Sequence, residues 1–174
     1  MPGNRLLVQI FYFMMKQDLI ECAALLLKEK QTIAFAESAT AGRLTAEFAL
    51  LPDAGSFLKG GFVCYDASVK EEVLSVTPEL VKRYTPESAE VTAAITRGLM
   101  PLIPADIHVG VTGLTAPGGS ETPEKPVGTM FVCGMMAGVT VFSERVVFSG
   151  SPEKIILQTI ACVAKKITDA LRNR

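Results

Sequence analysis

The chain has a single histidine in its 174 residues, His108, and that scarcity narrows the hydrolytic chemistry open to it. A Ser–His–Asp triad would have to use this one residue. It lies in the strand-like run Asp106–Val111, where a partly buried structural histidine is the expectation. Basic excess is also missing. The net charge is −1, so nothing favours nucleic acid or a membrane surface as a partner. The four cysteines, Cys22, Cys64, Cys133 and Cys162, lie far apart without metal-ligand spacing. Each sits in an apolar run, which reads as buried thiols of a reducing, cytoplasmic location. There is no G-x-G-x-x-G and no Walker lysine, so a standard phosphate loop is not supported. Internal repeats and low-complexity linkers are absent.

Long apolar runs are short of what a membrane needs. Leu6–Met15, flanked by Arg5 and Lys16, is about half a span. It has the charged start and apolar middle of a signal peptide, but no small-x-small cleavage site follows cleanly. It reads as an N-terminal helical extension, packed on the domain or on a second subunit. Residues 1–17 are therefore set apart as an apolar extension from a single domain over 18–174. A homo-oligomer is expected, because this apolar surface needs a place to be buried.

What is present describes a folded core: 49% hydrophobic, 20% charged, mean hydropathy +0.34. Leu19, Ile20, Ala23, Leu26 and Leu27 recur at helical spacing within Asp18–Glu29. A strand, Thr32–Ala36, follows. A helix then runs from Arg43 to about Leu51 and stops at Pro52. Pro52–Ser56 is a turn cluster. Phe57–Tyr65 reads as a strand weakened by Gly60 and Gly61. Short helices are predicted from the Asp66 cap to Leu74 and from Thr77 or Pro78 to Tyr84, and a longer one over Glu87–Ile103 with Ser88 as its cap. Asp106–Thr112 reads as the next strand. A loop rich in glycine and proline, 113–126, leads to a hairpin of Val127–Met136 and Val139–Phe148 around Gly138. The last helix is Glu153–Leu171. Strands alternating with helices and ending in a hairpin predict an α/β fold: a three-layer α/β/α sandwich with a mixed sheet.

In such sheets ligands bind beyond the carboxyl ends of parallel strands. Three segments fall there. In Glu37–Gly42, Ser38 could present a nucleophile at a helix start, whose free N–H groups could hold an anion or an oxyanion. Ser38 or Thr40 could equally be a plain helix cap. In Tyr65–Lys70, a lysine with a burial-lowered pKa could take a serine proton, as in Ser/Lys amide hydrolysis. Alternatively, Lys70 is a solvated charge beside Glu71 and Glu72, and Tyr65 closes the sheet edge. In Thr112–Gly119, Gly113, Gly118 and Gly119 permit close backbone approach to a ligand, and Thr112 could donate from a strand end. The bland reading of that segment is a long surface loop.

Taken together, Ala36–Gly42, Gly60–Tyr65 with Lys70, Ser88–Val91, Val111–Gly113 with Pro117–Gly119, and above all Pro123–Thr129 resemble the C-terminal domain of the competence/damage-inducible CinA family. The likeness runs from about Asp18 to Leu171. That family is associated with nicotinamide mononucleotide deamidase, an amidohydrolase of NAD salvage. The resemblance implies hydrolysis of the nicotinamide carboxamide of a pyridine nucleotide to nicotinate, with release of ammonia. Carried over by position, Ser38 would be the nucleophile, Lys70 its base and Tyr65 their support. The substrate pocket would include Glu37, Thr40, Gly42, Thr112, Gly113, Gly118 and Gly119. No metal and no organic cofactor is implied. The family pattern has Cys and Gly where this chain has Ala39 and Ala41, and an Ala-Gly pair where it has Thr115-Ala116. It has Pro-Gly-Asp-Arg near Ser149–Pro152, where Lys154 is the nearest cation for a ligand phosphate. These departures leave a second reading: an inactive relative that keeps a nucleotide-binding or interaction role.

Overall fold

The computed structural model describes residues 3–173, with the backbone alone described over residues 3–11. Helix α1 runs unbroken over Gly3–Lys28. The apolar N-terminal run and the predicted Asp18–Glu29 helix are thus one element, not an extension followed by a helix. The side chains of Leu6 to Phe11 lie outside the described residues. Beyond them, Phe13 and Met14 are exposed while Met15, Leu19, Cys22 and Leu26 are buried. Among the described residues no helix is long and apolar enough to cross a membrane.

Five strands form one sheet in the order β2-β1-β3-β4-β5: β1 Ile33–Glu37, β2 Leu58–Val63, β3 Ile107–Gly113, β4 Thr129–Met136 and β5 Val139–Val147. β1 pairs in parallel with both β2 and β3, whereas β3–β4 and β4–β5 are antiparallel. The parallel pairs need crossovers. Helices α2 Arg43–Ala49 and α3 Ala54–Phe57 connect β1 to β2, and α4 Ala67–Glu72, α5 Pro78–Tyr84 and α6 Ala89–Leu99 connect β2 to β3. The short α3 lies where the sequence suggested only a turn. The antiparallel pair β4–β5 needs only a tight turn, made by Ala137 and Gly138, both at positive φ. Helix α7, Pro152–Arg172, closes the chain with the side chain of Ser151 accepting from the Lys154 amide at its start.

The two faces of the sheet are covered by different helices, which makes three layers as predicted. On one face Ile33, Phe35, Val109 and Val132 pack with α1, α2 and α7. There Phe35 and Phe48 meet with ring centroids 4.8 Å apart. On the other face Ala34 and Ala36 pack against Val91, Ile95 and Leu99 of α6. The small residues on β1 at that face let α6 sit close. The predicted caps Asp66 and Ser88 accept an amide at the start of α4 and α6, and Thr77 caps α5, which starts at Pro78. Helix α6 ends at Leu99, a turn earlier than the Ile103 expected.

Cys22, Cys64 and Cys133 are buried as anticipated, whereas Cys162 is only half-buried. No disulfide forms among the described residues, and burial pushes Cys22 up to about 12 and Cys64 up to about 11. His108 is buried, with Nε2 2.9 Å from the carbonyl of Ile103. It pairs with Ala34 near the amino end of β1, four residues before Ser38. At about 3.3 Å per residue the two are about 13 Å apart along the strand. A triad through His108 is therefore excluded.

Candidate functional site

β1 is the middle one of the three parallel strands, and its neighbours are reached by crossovers over opposite faces of the sheet. That makes its carboxyl end a switch point, where a crevice must open. Ser38 is the first residue past this end, and its amide still donates to the Val111 carbonyl, at 2.9 Å. The chain then turns sharply. Ala41 N donates to Ser38 O at 3.1 Å and Arg43 N to Thr40 O at 2.9 Å, with Ala41 at φ 50° and Gly42 at φ 92°. Two left-handed residues in succession are what swing the backbone into α2.

This turn leaves the Ala39 and Thr40 amides without a partner among the described residues. The Thr40 hydroxyl, fully buried, also lacks one. The first amides of α2 are not free, contrary to expectation. The carboxylate of Glu37, itself fully buried, accepts from Gly42 N and Leu44 N at 3.0 Å each and from Thr45 N at 2.7 Å. Glu37 is thus a helix clasp and not a substrate ligand, and Gly42 serves the turn.

A cavity of about 230 Å³ lies in the crevice. Ser38, Ala39, Tyr65 and Glu87 line one part of it, and the stretch Gly113–Gly119 forms the facing wall. Five of the expected residues meet here: Ser38, Tyr65, Gly113, Gly118 and Gly119. The Ser38 hydroxyl makes no hydrogen bond among the described residues. The Gly118 amide is taken by the Glu121 carboxylate at 2.8 Å. Thr112 sits behind the lining, buried, with its hydroxyl 2.8 Å from that of Thr92. Lys154 is exposed on α7 and is not among the lining residues.

Lys70 is buried to 1% exposure, not solvated beside its acidic neighbours. Its ammonium donates to the carbonyls of Cys64 at 2.8 Å, Tyr65 at 3.1 Å and Asp66 at 3.4 Å. Helix α4 thereby folds its lysine back under the turn that leaves β2. Burial holds the Lys70 pKa below the usual 10.5, with the nearby charges of Cys64, Glu87 and Asp66 acting the other way. Among the described residues no cluster of His, Cys, Asp and Glu could hold a metal ion.

Glu87, which no motif singles out, carries the only charged side chain among the described residues of the lining. In the sequence it reads only as the start of a helix. The glycine-rich loop that forms the wall runs from Leu114 to Gly128. Its base is closed where Leu114 N donates to Thr129 O at 2.9 Å and Gly128 N to Leu114 O at 2.7 Å. Gly128 cannot be replaced there, because a Cβ would lie 1.9 Å from the Phe148 carbonyl oxygen.

The fold and the crevice describe an α/β domain with a cavity at the carboxyl end of β1, lined by Ser38 and the Gly113–Gly119 wall. The family model for the CinA C-terminal domain matches residues 16–171, and the chain belongs to that family. A CinA-like protein of Thermotoga neapolitana is 37% identical over 125 residues, covering 71% of this chain and 30% of its own length. One of Thermosynechococcus vestitus is 36% identical over 128 residues, covering 74% of this chain and 30% of its own. The chain thus spans about a third of the length of these relatives. In fold it is similar to a competence-damaged protein (CinA) superfamily protein of Klebsiella pneumoniae, with a TM-score of 0.87, 24% identity and coverage of 92% and 99% of the two chains.

Proposed function

We propose that this domain is an amidohydrolase that converts the carboxamide of nicotinamide mononucleotide to nicotinate and ammonia, with Ser38 as nucleophile. The observation that carries this reading is the unclaimed Ser38 hydroxyl in the cavity, next to the unpaired amides of Ala39 and Thr40. Amides held without partners need no reorganisation before they receive an oxyanion, and each such donor is worth about 3 kcal/mol in a transition state.

In this scheme the neutral amine of Lys70 takes the Ser38 proton as Oγ bonds to the carboxamide carbon. Negative charge develops on the carbonyl oxygen and faces the Ala39 and Thr40 amides. The lysine returns the proton to the departing nitrogen, ammonia leaves, and an ester on Ser38 remains. Water, deprotonated by Lys70, then attacks the ester to give the acid and free serine. An ammonium offers three protons and a neutral amine two, so the base form keeps two of its three carbonyl contacts. The longest of them, to Asp66, is the one to release.

A second reading is favoured by one observation. All three protons of the Lys70 ammonium already have acceptors, and none is Ser38. A domain that binds the nucleotide without cleaving it would look the same at this lysine. Incubation of the purified protein with nicotinamide mononucleotide separates the two. The amidase releases ammonia and nicotinate mononucleotide in equal amounts, and binding without release supports the second reading.

A further inference from the structure

The wall facing Ser38 is irregular backbone, and something must hold its shape. The loop is pinned at its base by Leu114 and Gly128, but the residues between have no strand to pair with. A second fastening lies at the far end. Lys125 N donates to Thr122 O at 3.0 Å and Thr122 N to Lys125 O at 3.1 Å, which closes a small turn and aims the lysine inward. Its ammonium donates to Ser120 Oγ at 2.6 Å, Thr85 Oγ1 at 2.6 Å and the Glu87 carbonyl at 3.0 Å. Ser120 in turn donates its own proton to the Glu87 carboxylate. The chain therefore runs from loop to lysine to the α5–α6 junction and back through Ser120 to the one acidic group in the cavity. Thr85 holds φ 68° to present its hydroxyl, a conformation that β-branched residues avoid.

The proton directions decide what this cluster does. Every N–H of the lysine has an acceptor, and the Ser120 proton goes to a carboxylate. Lys125 is thus not poised to activate Ser120, and the group acts as a clamp. We propose that Lys125 is a positioning residue for the Ser38 cavity, clamping the Gly113–Gly119 wall and, through Ser120, the Glu87 carboxylate into their places around the substrate.

The clamp itself stands on the hydrogen bonds, while its effect on turnover rests on the amidase reading above. Lys125→Met keeps the stem and removes the donors, whereas Ser120→Ala removes the link to the Glu87 carboxylate and one of the lysine's three acceptors but leaves its bonds to Thr85 and the Glu87 carbonyl. In the unliganded protein, amide hydrogen exchange over 115–120 should rise about tenfold or more in Lys125→Met, with β1 and β4 unchanged. With nicotinamide mononucleotide, KM should rise about fivefold or more while kcat stays within about threefold. Ser120→Ala should give a smaller rise, and the double variant no more than Lys125→Met alone. Unchanged exchange over 115–120 in both single variants would overturn the proposal, as would a fall in kcat with KM unaltered. If Lys125→Met does not fold, Ser120→Ala decides by the same two readings. If the wild type releases no ammonia, the amidase reading fails, and the exchange rates alone decide the clamp.

Discussion

Glu37 Oε1 accepts both the amide of Thr45, at 2.7 Å, and its hydroxyl, at 2.5 Å. The last residue of β1 thus grips the first turn of α2, and the Ser38 turn is held between two fixed points. Glu37→Gln replaces a charged acceptor by a neutral amide inside a buried ring of donors. It should lower unfolding free energy by about 2–4 kcal/mol, since charged hydrogen bonds contribute about 1.5–3 kcal/mol each and the lost acceptor leaves buried N–H groups unpaired. Urea denaturation measures this, and a change under about 0.5 kcal/mol would contradict the role assigned to the carboxylate.

Ala41 stands at φ 50°, where an L side chain is strained by about 1–2 kcal/mol. Glycine removes that strain and adds some unfolded-state entropy. Ala41→Gly should therefore stabilise the domain by about 1 kcal/mol, read from the same urea transitions. A destabilised variant would mean that the turn does not depend on the left-handed conformation.

Buried Glu47 joins α1 to α2 by accepting from Lys16 at 2.6 Å and from Arg43 at 2.7 Å. Burial alone would raise its pKa, but the hydrogen bonds from Lys16 and Arg43 prevail and lower it below the usual 4.5. A depressed carboxylate pKa contributes stability that is present above the unfolded value and lost as pH falls through the folded one. The advantage of the wild type over Glu47→Gln should thus be full at neutral pH and shrink below pH 4.5. Chemical denaturation at a series of pH values checks this, and an advantage that stays constant into acid would refute it.

If Lys70 supplies the base, catalysis needs its neutral form. Burial holds its pKa below 10.5, so kcat/KM should rise with pH and level off at an inflection under that value. Lys70→Met should remove the activity and leave a buried, uncharged stem. A pH profile without a rising limb would assign the base elsewhere.

Much of the fold was legible because it rests on period and punctuation. Pro52, Gly138 and the caps Asp66, Thr77 and Ser88 mark ends that the structure keeps. The layers follow from alternation of strand and helix, and Ser38, Tyr65 and the glycines of 113–119, singled out by their place at strand ends, line one cavity. What stayed hidden depends on where a side chain points. Glu37 is expected in the substrate pocket and Lys70 at the Ser38 hydroxyl, and only the folded chain turns one into a helix clasp and rings the other with carbonyls. Glu87, Ser120 and Lys125 are separated by up to 38 residues, and no local pattern joins them. The helical character of Leu6–Met15 is legible, but its continuity with the helix that follows is not, because the polar stretch Lys16–Asp18 interrupts the apolar run.

The central claim is that the Ser38 hydroxyl is the nucleophile. Ammonia release from nicotinamide mononucleotide, followed for the wild type and for Ser38→Ala at equal folded concentration, tests it most directly. The account predicts release by the wild type and a loss of at least about 1,000-fold in Ser38→Ala. Retention of activity in Ser38→Ala within about tenfold of the wild type would contradict it.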